Sequence, residues 1–590
     1  MNFRESAFTH PDKVCDIVMK GGITSGVVYP LALVTLAKHY RFANIGGTSA
    51  GAMAAAAAAA AEYGRFSESG GFARLEQVPN EIGPNLRRLF QPTPALRPLF
   101  EMFVALLEAK SAPGKITGVI RAAMTGYCKA AAIGAVAGIV ALILTSSNGC
   151  GPLAALLIGV VIGLVGVAVA LIWRIFIALT RELPANDYGL CPGISQPGGE
   201  GEGFTDWLAR LIEETAGRKE SAAPLTFGDL EQPAEGRDHV GLMMMTTSLM
   251  EMRPYTLPFD SESGSRDGET FGFVFELGEW RKLFPAFVID YLARVCRPFE
   301  TTQGEKGEFF RFPDRNELPV LVATRMSLSF PGLISAVPLW RRDFLYRAKS
   351  DQQRLRRCLF SDGGLSSNFP IHFFDRLLPN HPTFAISLDA YDERRSSGGP
   401  DERVWLHKKA REGINRPVIG FEGLVPFLLR LVDAAKDWQD NLQSVLPGYR
   451  ERIAHIGLKG EEGGLNIAMD GPTVHRLADL GRQAGERLEE FDLDAHRWRR
   501  FLVAMARVEQ TLDEVAQSYD GVKGAESFRD FLARYPDLAA EYKQTSEEVA
   551  EMLKRGEKLA KLGEEWRNQP RIRDGKIPRP RTALRITPIP

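Results

Sequence analysis

Between Lys129 and Arg174 the chain runs for 44 residues without a charged side chain. A soluble core element needs no such run, whereas about 20 apolar residues suffice to cross a bilayer as a helix. Residues 152–173 are rich in Leu, Ile and Val and are long enough to cross alone; residues 130–145 are shorter and rich in Ala and Gly. The short polar linker "SSNGCG" between them predicts a helical hairpin. Gly134 with Gly138, and Gly159 with Gly163, have the G-x-x-x-G spacing that lets two helices approach closely in lipid. Lys115, Arg121 and Lys129 precede the pair and Arg174 and Arg181 follow it, so the positive-inside rule keeps both flanks in the cytoplasm. The competing reading is an apolar hairpin buried inside a large soluble domain or an oligomer interface.

At 590 residues the chain has room for two or more folding units, or for one large domain with insertions. Its 72 Lys and Arg nearly balance 73 Asp and Glu, so no general attraction to nucleic acid is expected. The six cysteines, Cys15, Cys128, Cys150, Cys191, Cys296 and Cys358, form no C-x-x-C pair and no close Cys/His cluster. That scatter predicts no zinc site and fits a reduced compartment. The opening "MNFRESAFTHPDKVCDIV" has no apolar run of signal-peptide length, so export is not expected.

Residues 14–19 read as a short buried strand; "KGGITSG" then turns, and "VVYPLALVTLAKHY" continues as a helix. A second strand near residues 42–45 runs into "GGTSAG" and an alanine-rich helix. Repeated strand, glycine turn and helix predict a layered α/β fold.

Gly47-Thr48-Ser49-Ala50-Gly51 matches G-x-S-x-G, in which a sharp strand-to-helix turn holds a serine hydroxyl out at a sheet edge. Small residues suit such a turn, and the alanines after it let the helix pack close to the sheet. An activated serine also needs backbone N–H donors where the oxyanion develops, and Gly21 and Gly22 lie at the neighbouring strand end. A phosphate loop fits poorly, because Val27 and Val28 follow Gly26 where Lys and Ser/Thr are required, and G-x-G-x-x-G fails at Ile23. For the base, His372, His381 and His455 sit in no telling context. Asp362, after a short apolar run and before Gly363 and Gly364, offers a carboxylate at a strand end, with an ordinary Asp-Gly hairpin turn as the alternative.

Taken together these segments resemble the patatin-like phospholipase family, whose members carry a glycine-rich oxyanion loop, a G-x-S-x-G elbow and a D-G-[GA] motif. "PLTFGDL", "TTSLMEMRPYTLPF", "ATRMSLSFPGLISAVPL" and "SDGGLSSNFPI" follow in family-like order over roughly residues 14–400. "GGLNIAMDGPTVHRLADLGRQAG" looks like an extension of larger bacterial members. The resemblance implies a three-layer patatin-like fold with a central mainly parallel sheet. It also implies a Ser-Asp dyad of Ser49 and Asp362, with no histidine, metal or organic cofactor required. Where the family loop reads G-G-G-x-[RK]-G, this chain has Ile23 at the third glycine and Ser25 at the basic position. The backbone donors of Gly21, Gly22 and Ile23 survive that change, and Lys20 is a candidate substitute for the missing cation.

The expected organisation is a catalytic domain in two parts, 1–110 and 186–400, split by an insertion at 111–185 that carries the hairpin. A helical C-terminal extension at 401–565 and a basic, Pro-rich tail at 566–590, extended or flexible, complete it. Segments 191–204 and 259–270 read as surface loops. Because Ser49 precedes the hairpin and Asp362 follows it, a working dyad needs an even number of crossings. The expectation is a membrane-associated, cytoplasm-facing acyl hydrolase cleaving esters of glycerophospholipids or acylglycerols, with membrane lipid as substrate and surroundings and homo-oligomerisation left open. The alternatives are an esterase or thioesterase of soluble acyl substrates and a catalytically silent membrane scaffold.

Overall fold

The computed structural model describes residues 8–582 except 9–10, 23, 84–85, 109–110, 149, 219–221, 233–237, 260–271, 301–306, 343–354, 392–401, 410–411, 416–417, 419, 421, 461, 465, 522–523, 535–543 and 581. Ile23, almost all of the expected loop 259–270 and the last residues of the basic tail therefore lie outside the described residues.

Thirteen strands occur among the described residues: β1 Lys13–Met19, β2 Tyr40–Gly47, β3 Gly189–Cys191, β4 Gly241–Ser248, β5 Arg253–Leu257, β6 Phe273–Glu276, β7 Phe309–Arg311, β8 Gly332–Ile334, β9 Val337–Arg342, β10 Leu355–Asp362, β11 Thr383–Ala390, β12 Val404–Leu406 and β13 Ile453–Leu458. One large sheet runs in the order β12-β13-β11-β1-β2-β4-β10-β9-β6-β7, with β5 beside β4; β3 and β8 form a small separate pair. The five central strands, β13 to β4, are parallel, and both flanks are antiparallel. β1 shows why it sits in the middle: Ile17 and Met19 enter the main core, while Val18 points the other way to Met245 and Phe373. A strand covered on both faces reads as an unbroken apolar run. The chain is thus a mixed α/β protein with a parallel sheet at its centre.

The expected boundary near residue 400 is not a boundary in the sheet. β13 pairs with β11 in parallel and β12 closes that edge, so the region read as a helical extension completes the sheet. Its helix Gly471–Glu489 packs on the helix Tyr29–Ala37 so closely that a Cβ at Gly481 would lie 1.8 Å from the Val28 carbonyl. The basic tail, expected to be extended or flexible, is docked as far as Thr582. Arg573 pairs with Asp513, the backbone N–H of Ile572 and of Arg573 donate to Glu509, and the Arg579 carbonyl accepts from Arg450.

The uncharged run forms two helices, Cys128–Ser147 and Pro152–Ile177, each long and apolar enough to cross a membrane. They meet through glycine: a Cβ at Gly134 would lie 2.3 Å from the Val167 amide, and one at Gly138 would lie 2.6 Å from Gly163 Cα. Elsewhere their side chains point away from the protein, with Ile133, Leu153, Leu164 and Ile172 each about two-thirds exposed or more. The reading of a hairpin buried inside this chain is therefore wrong. An apolar surface of this extent marks contact with a membrane or another protein.

Candidate active site

β1 and β2 lie side by side in parallel and end together, Met19 opposite Gly47, which sets the turns after them next to each other. After β2 the chain reverses into the helix Ala50–Tyr63, and Ser49 takes φ 56° and ψ −129° at the junction. A left-handed φ on a residue with a Cβ is strained, and such strain concentrates at functional turns. The flanking glycines are dictated by crowding: a Cβ on Gly47 would lie 2.3 Å from the Gly51 carbonyl, and one on Gly51 would lie 2.3 Å from the Met19 carbonyl.

Asp362 ends β10, opposite Thr246 of β4. Its Oδ2 accepts a hydrogen bond from Ser49 Oγ at 2.7 Å, and its Oδ1 accepts from the Gly364 N–H at 2.7 Å. Gly363 is needed because a Cβ there would sit 2.0 Å from the Met245 carbonyl. Serine and aspartate are both almost fully buried. Burial raises the Asp362 carboxyl to about 6, against the opposing pull of the Ser49 hydroxyl, the Gly364 amide and the Lys436 charge. Among the described residues, the hydrogen-bond partners of Ser49 Oγ are Asp362 and the Gly22 carbonyl, at 3.0 Å; no histidine takes part.

The oxyanion loop departs from expectation. The Gly21 N–H is spent on the Asn368 carbonyl at 2.6 Å, so it is not a free donor. Gly22 presents its carbonyl, which accepts from both Ser49 Oγ and the Ala50 N–H. Ile23, the third expected donor, lies outside the described residues. Lys20 does not stand in for the missing cation: its ammonium is held by the Leu388 carbonyl at 2.9 Å and by Asp389 at 3.4 Å, in a polar pocket that it shares with Asp437 and His455.

Several positioning residues carried no recognisable signal alone. Ser327, at the end of the helix Val320–Ser327, accepts from the Ser49 N–H at 3.3 Å. Two residues earlier, fully buried Arg325 donates to Ser329 Oγ, and the Ser329 carbonyl accepts from the Asp362 N–H at 3.0 Å. Thr247 Oγ1 donates to the Asp362 carbonyl at 3.0 Å. These residues lie in two of the quoted segments, 246–259 and 323–339, whose order along the chain was the available clue. Asp440, on the helix Leu424–Ser444, accepts from Ser367 Oγ and from the Asn368 and Phe369 amides. It thereby fixes the Asn368 carbonyl that holds Gly21, and no local pattern announced it.

A small, mainly apolar pocket begins at Ser49 and is lined by Val27, Met53, Phe90, Leu328 and Phe330 among others. Ile334 of β8 also lines it, and β8 pairs with β3, the strand that follows the hairpin's return. A serine hydroxyl, a carboxylate of raised affinity for protons and an apolar cavity thus meet at the ends of adjacent strands, an arrangement that could serve acyl transfer.

No family model matches the sequence. The RpoH suppressor of Rhizobium meliloti (strain 1021) is 35% identical to it over 98% of this chain and 99% of its own length. Among solved structures, VipD from Legionella pneumophila is similar over 93% of this chain and 85% of that one, at 12% identity and a TM-score of 0.31, a likeness that carries no structural conclusion.

Proposed function

This chain belongs to the family of the RpoH suppressor of Rhizobium meliloti, and we propose that it is a membrane-associated serine acyl hydrolase built on a patatin-like fold, cleaving carboxylic esters of lipids. The observation that carries this reading is the 2.7 Å hydrogen bond from Ser49 Oγ to Asp362 at the mouth of an apolar cavity. The relative's name lends it no support.

In the reaction, Ser49 Oγ attacks the ester carbonyl carbon while its proton passes to Asp362 Oδ2. The tetrahedral oxyanion collapses, the bond to the alcohol breaks, and the alcohol leaves with that proton. Water then gives a proton to Asp362 and attacks the acyl-enzyme; the fatty acid departs and Ser49 regains its hydrogen. A carboxyl near 6 suits both halves of the cycle, since it is ionised at neutral pH yet a better base than an ordinary aspartate.

In this reading the hairpin would hold the site close to a bilayer, which is supported by two helices long and apolar enough to cross one. Both flanks are basic and both dyad residues lie outside it, which fits two crossings with the catalytic part in the cytoplasm. Mass spectrometry of products from mixed lipids tests the reading. Wild type is expected to release fatty acid, and Ser49→Ala and Asp362→Asn to lose at least about a thousandfold in rate. Equal release by all three contradicts it, and release from short soluble esters alone turns it to the esterase alternative.

A further inference from the structure

The helix Leu424–Ser444 is amphipathic the wrong way round. Leu424, Leu428, Leu431, Val432, Trp438 and Leu442 are each about half exposed or more. At 3.6 residues per turn they fall within an arc of about 120°. The helix's charged residues, Arg430, Asp433, Lys436, Asp437 and Asp440, all fall outside that arc. A surface helix of a soluble protein turns its apolar stripe to the core. Here the polar side faces inward: Asp440 is buried against Ser367 and the Asn368 and Phe369 amides, and the Lys436 charge is felt by Asp362. An outward apolar stripe along most of a 21-residue helix marks a surface that something covers.

The place of this helix in the fold says what covers it. Asp440 seats it on the loop just past Asp362, which also holds the Gly21 turn at the end of β1. The hairpin is rooted at the same end of the sheet. β10 runs antiparallel to β4, so its early residues reach beyond the strand ends that carry Ser49 and Asp362. There Arg357 pairs with Asp187, where the chain returns from the hairpin. Two apolar surfaces thus stand at one end of the molecule. A single bilayer surface covers both, whereas a protein docked on the stripe alone leaves the hairpin bare.

We infer that the helix Leu424–Ser444 lies along the bilayer surface, its apolar stripe among the lipids and its charged side on the protein. A helix that lies on a bilayer makes a reversible contact and not an anchor, so the hairpin alone keeps the chain in the membrane. The inference rests on the membrane part of the reading above and not on its chemistry.

The test uses full-length Ser49→Ala protein, so that no lipid is consumed, in vesicles of phosphatidylcholine and phosphatidylglycerol. The exposed cysteines are replaced, Cys128→Ser and Cys150→Ser; Cys15, Cys191, Cys296 and Cys358 are buried and escape labelling. A thiol-linked fluorophore is then attached to Leu431→Cys, Leu442→Cys, Asp433→Cys or, on the hairpin, Ile139→Cys, and melting curves report folding. Lipids with nitroxide-bearing chains are expected to quench the labels at 431 and 442 at least about threefold more than the label at 433, with aqueous iodide showing the reverse order. Labels at 431 and 442 that stay open to iodide while the label at 139 is quenched by lipid overturn the inference and leave the hairpin in the membrane. Labels at 431 and 442 shielded from both quenchers overturn it in favour of a protein cover, a second copy included. No lipid quenching at any position, 139 included, overturns the membrane part of the reading as well.

Discussion

Asp362 is a carboxyl that burial pushes towards its neutral form while Ser49 and Gly364 donate hydrogen bonds to its charged one. Burial wins, and two consequences follow from the resulting value of about 6. In the proposed reaction the dyad works only with the aspartate ionised, so kcat/KM should climb about tenfold per pH unit below that value and level off above it. A flat profile through this range contradicts Asp362 as the base. The second consequence concerns stability. The folded-state value lies above the unfolded one, near 3.9, so between them the folded protein holds more protons and loses stability as pH rises. Above pH 6 the full cost, on the order of 2–3 kcal/mol, is present. Asp362→Asn should therefore be inactive yet melt higher than wild type at neutral pH, with the difference closing towards pH 4. An Asp362→Asn protein that melts lower at neutral pH contradicts that account.

The strand-turn-helix element that carries Ser49 depends on backbones approaching where no side chain fits. Gly51→Ala would force the helix Ala50–Tyr63 away from the Met19 carbonyl, and overpacking of this kind costs about 1–3 kcal/mol. Denaturant melts should show that loss and ester assays a larger fall in activity; an unperturbed variant would mean the helix sits further from β1. This element was legible in the sequence because its residues are adjacent: the glycines, the serine and the alanines announce the turn together. The oxyanion loop was not. Two glycines at a strand end suggested free amides, but what occupies the Gly21 N–H is the carbonyl of Asn368, oriented in turn by Asp440, and both are brought in by distant parts of the chain. Hydrogen bonds of such long range leave no periodicity or spacing to find. The hairpin was legible for the opposite reason, since lack of charge and glycine spacing are local properties, and Gly134 and Gly138 do face the second helix.

On the scale of the whole molecule, the sheet gathers residues from positions 13 to 458, and the apolar hairpin interrupts the chain between β2 and β3 without entering the sheet. The edge strand β12 and its neighbour β13, three and six residues long among helices, were too short to stand out from the charged, helical surroundings, which is why the C-terminal region read as a separate extension. Because the hairpin's side chains lie outside the core, a variant lacking residues 130–173 should leave the membrane fraction, keep its fold and still cleave a short soluble ester. Its persistence in membranes would reveal another anchor. The central claim is that Ser49 becomes acylated with Asp362 as its base. The most direct measurement is mass spectrometry of the peptide containing Ser49 after acid quenching of the enzyme with a slowly deacylating lipid ester. The account predicts the mass of one acyl group on Ser49 in wild type and none in Asp362→Asn; turnover with no adduct, or an acyl group on another residue, would contradict it.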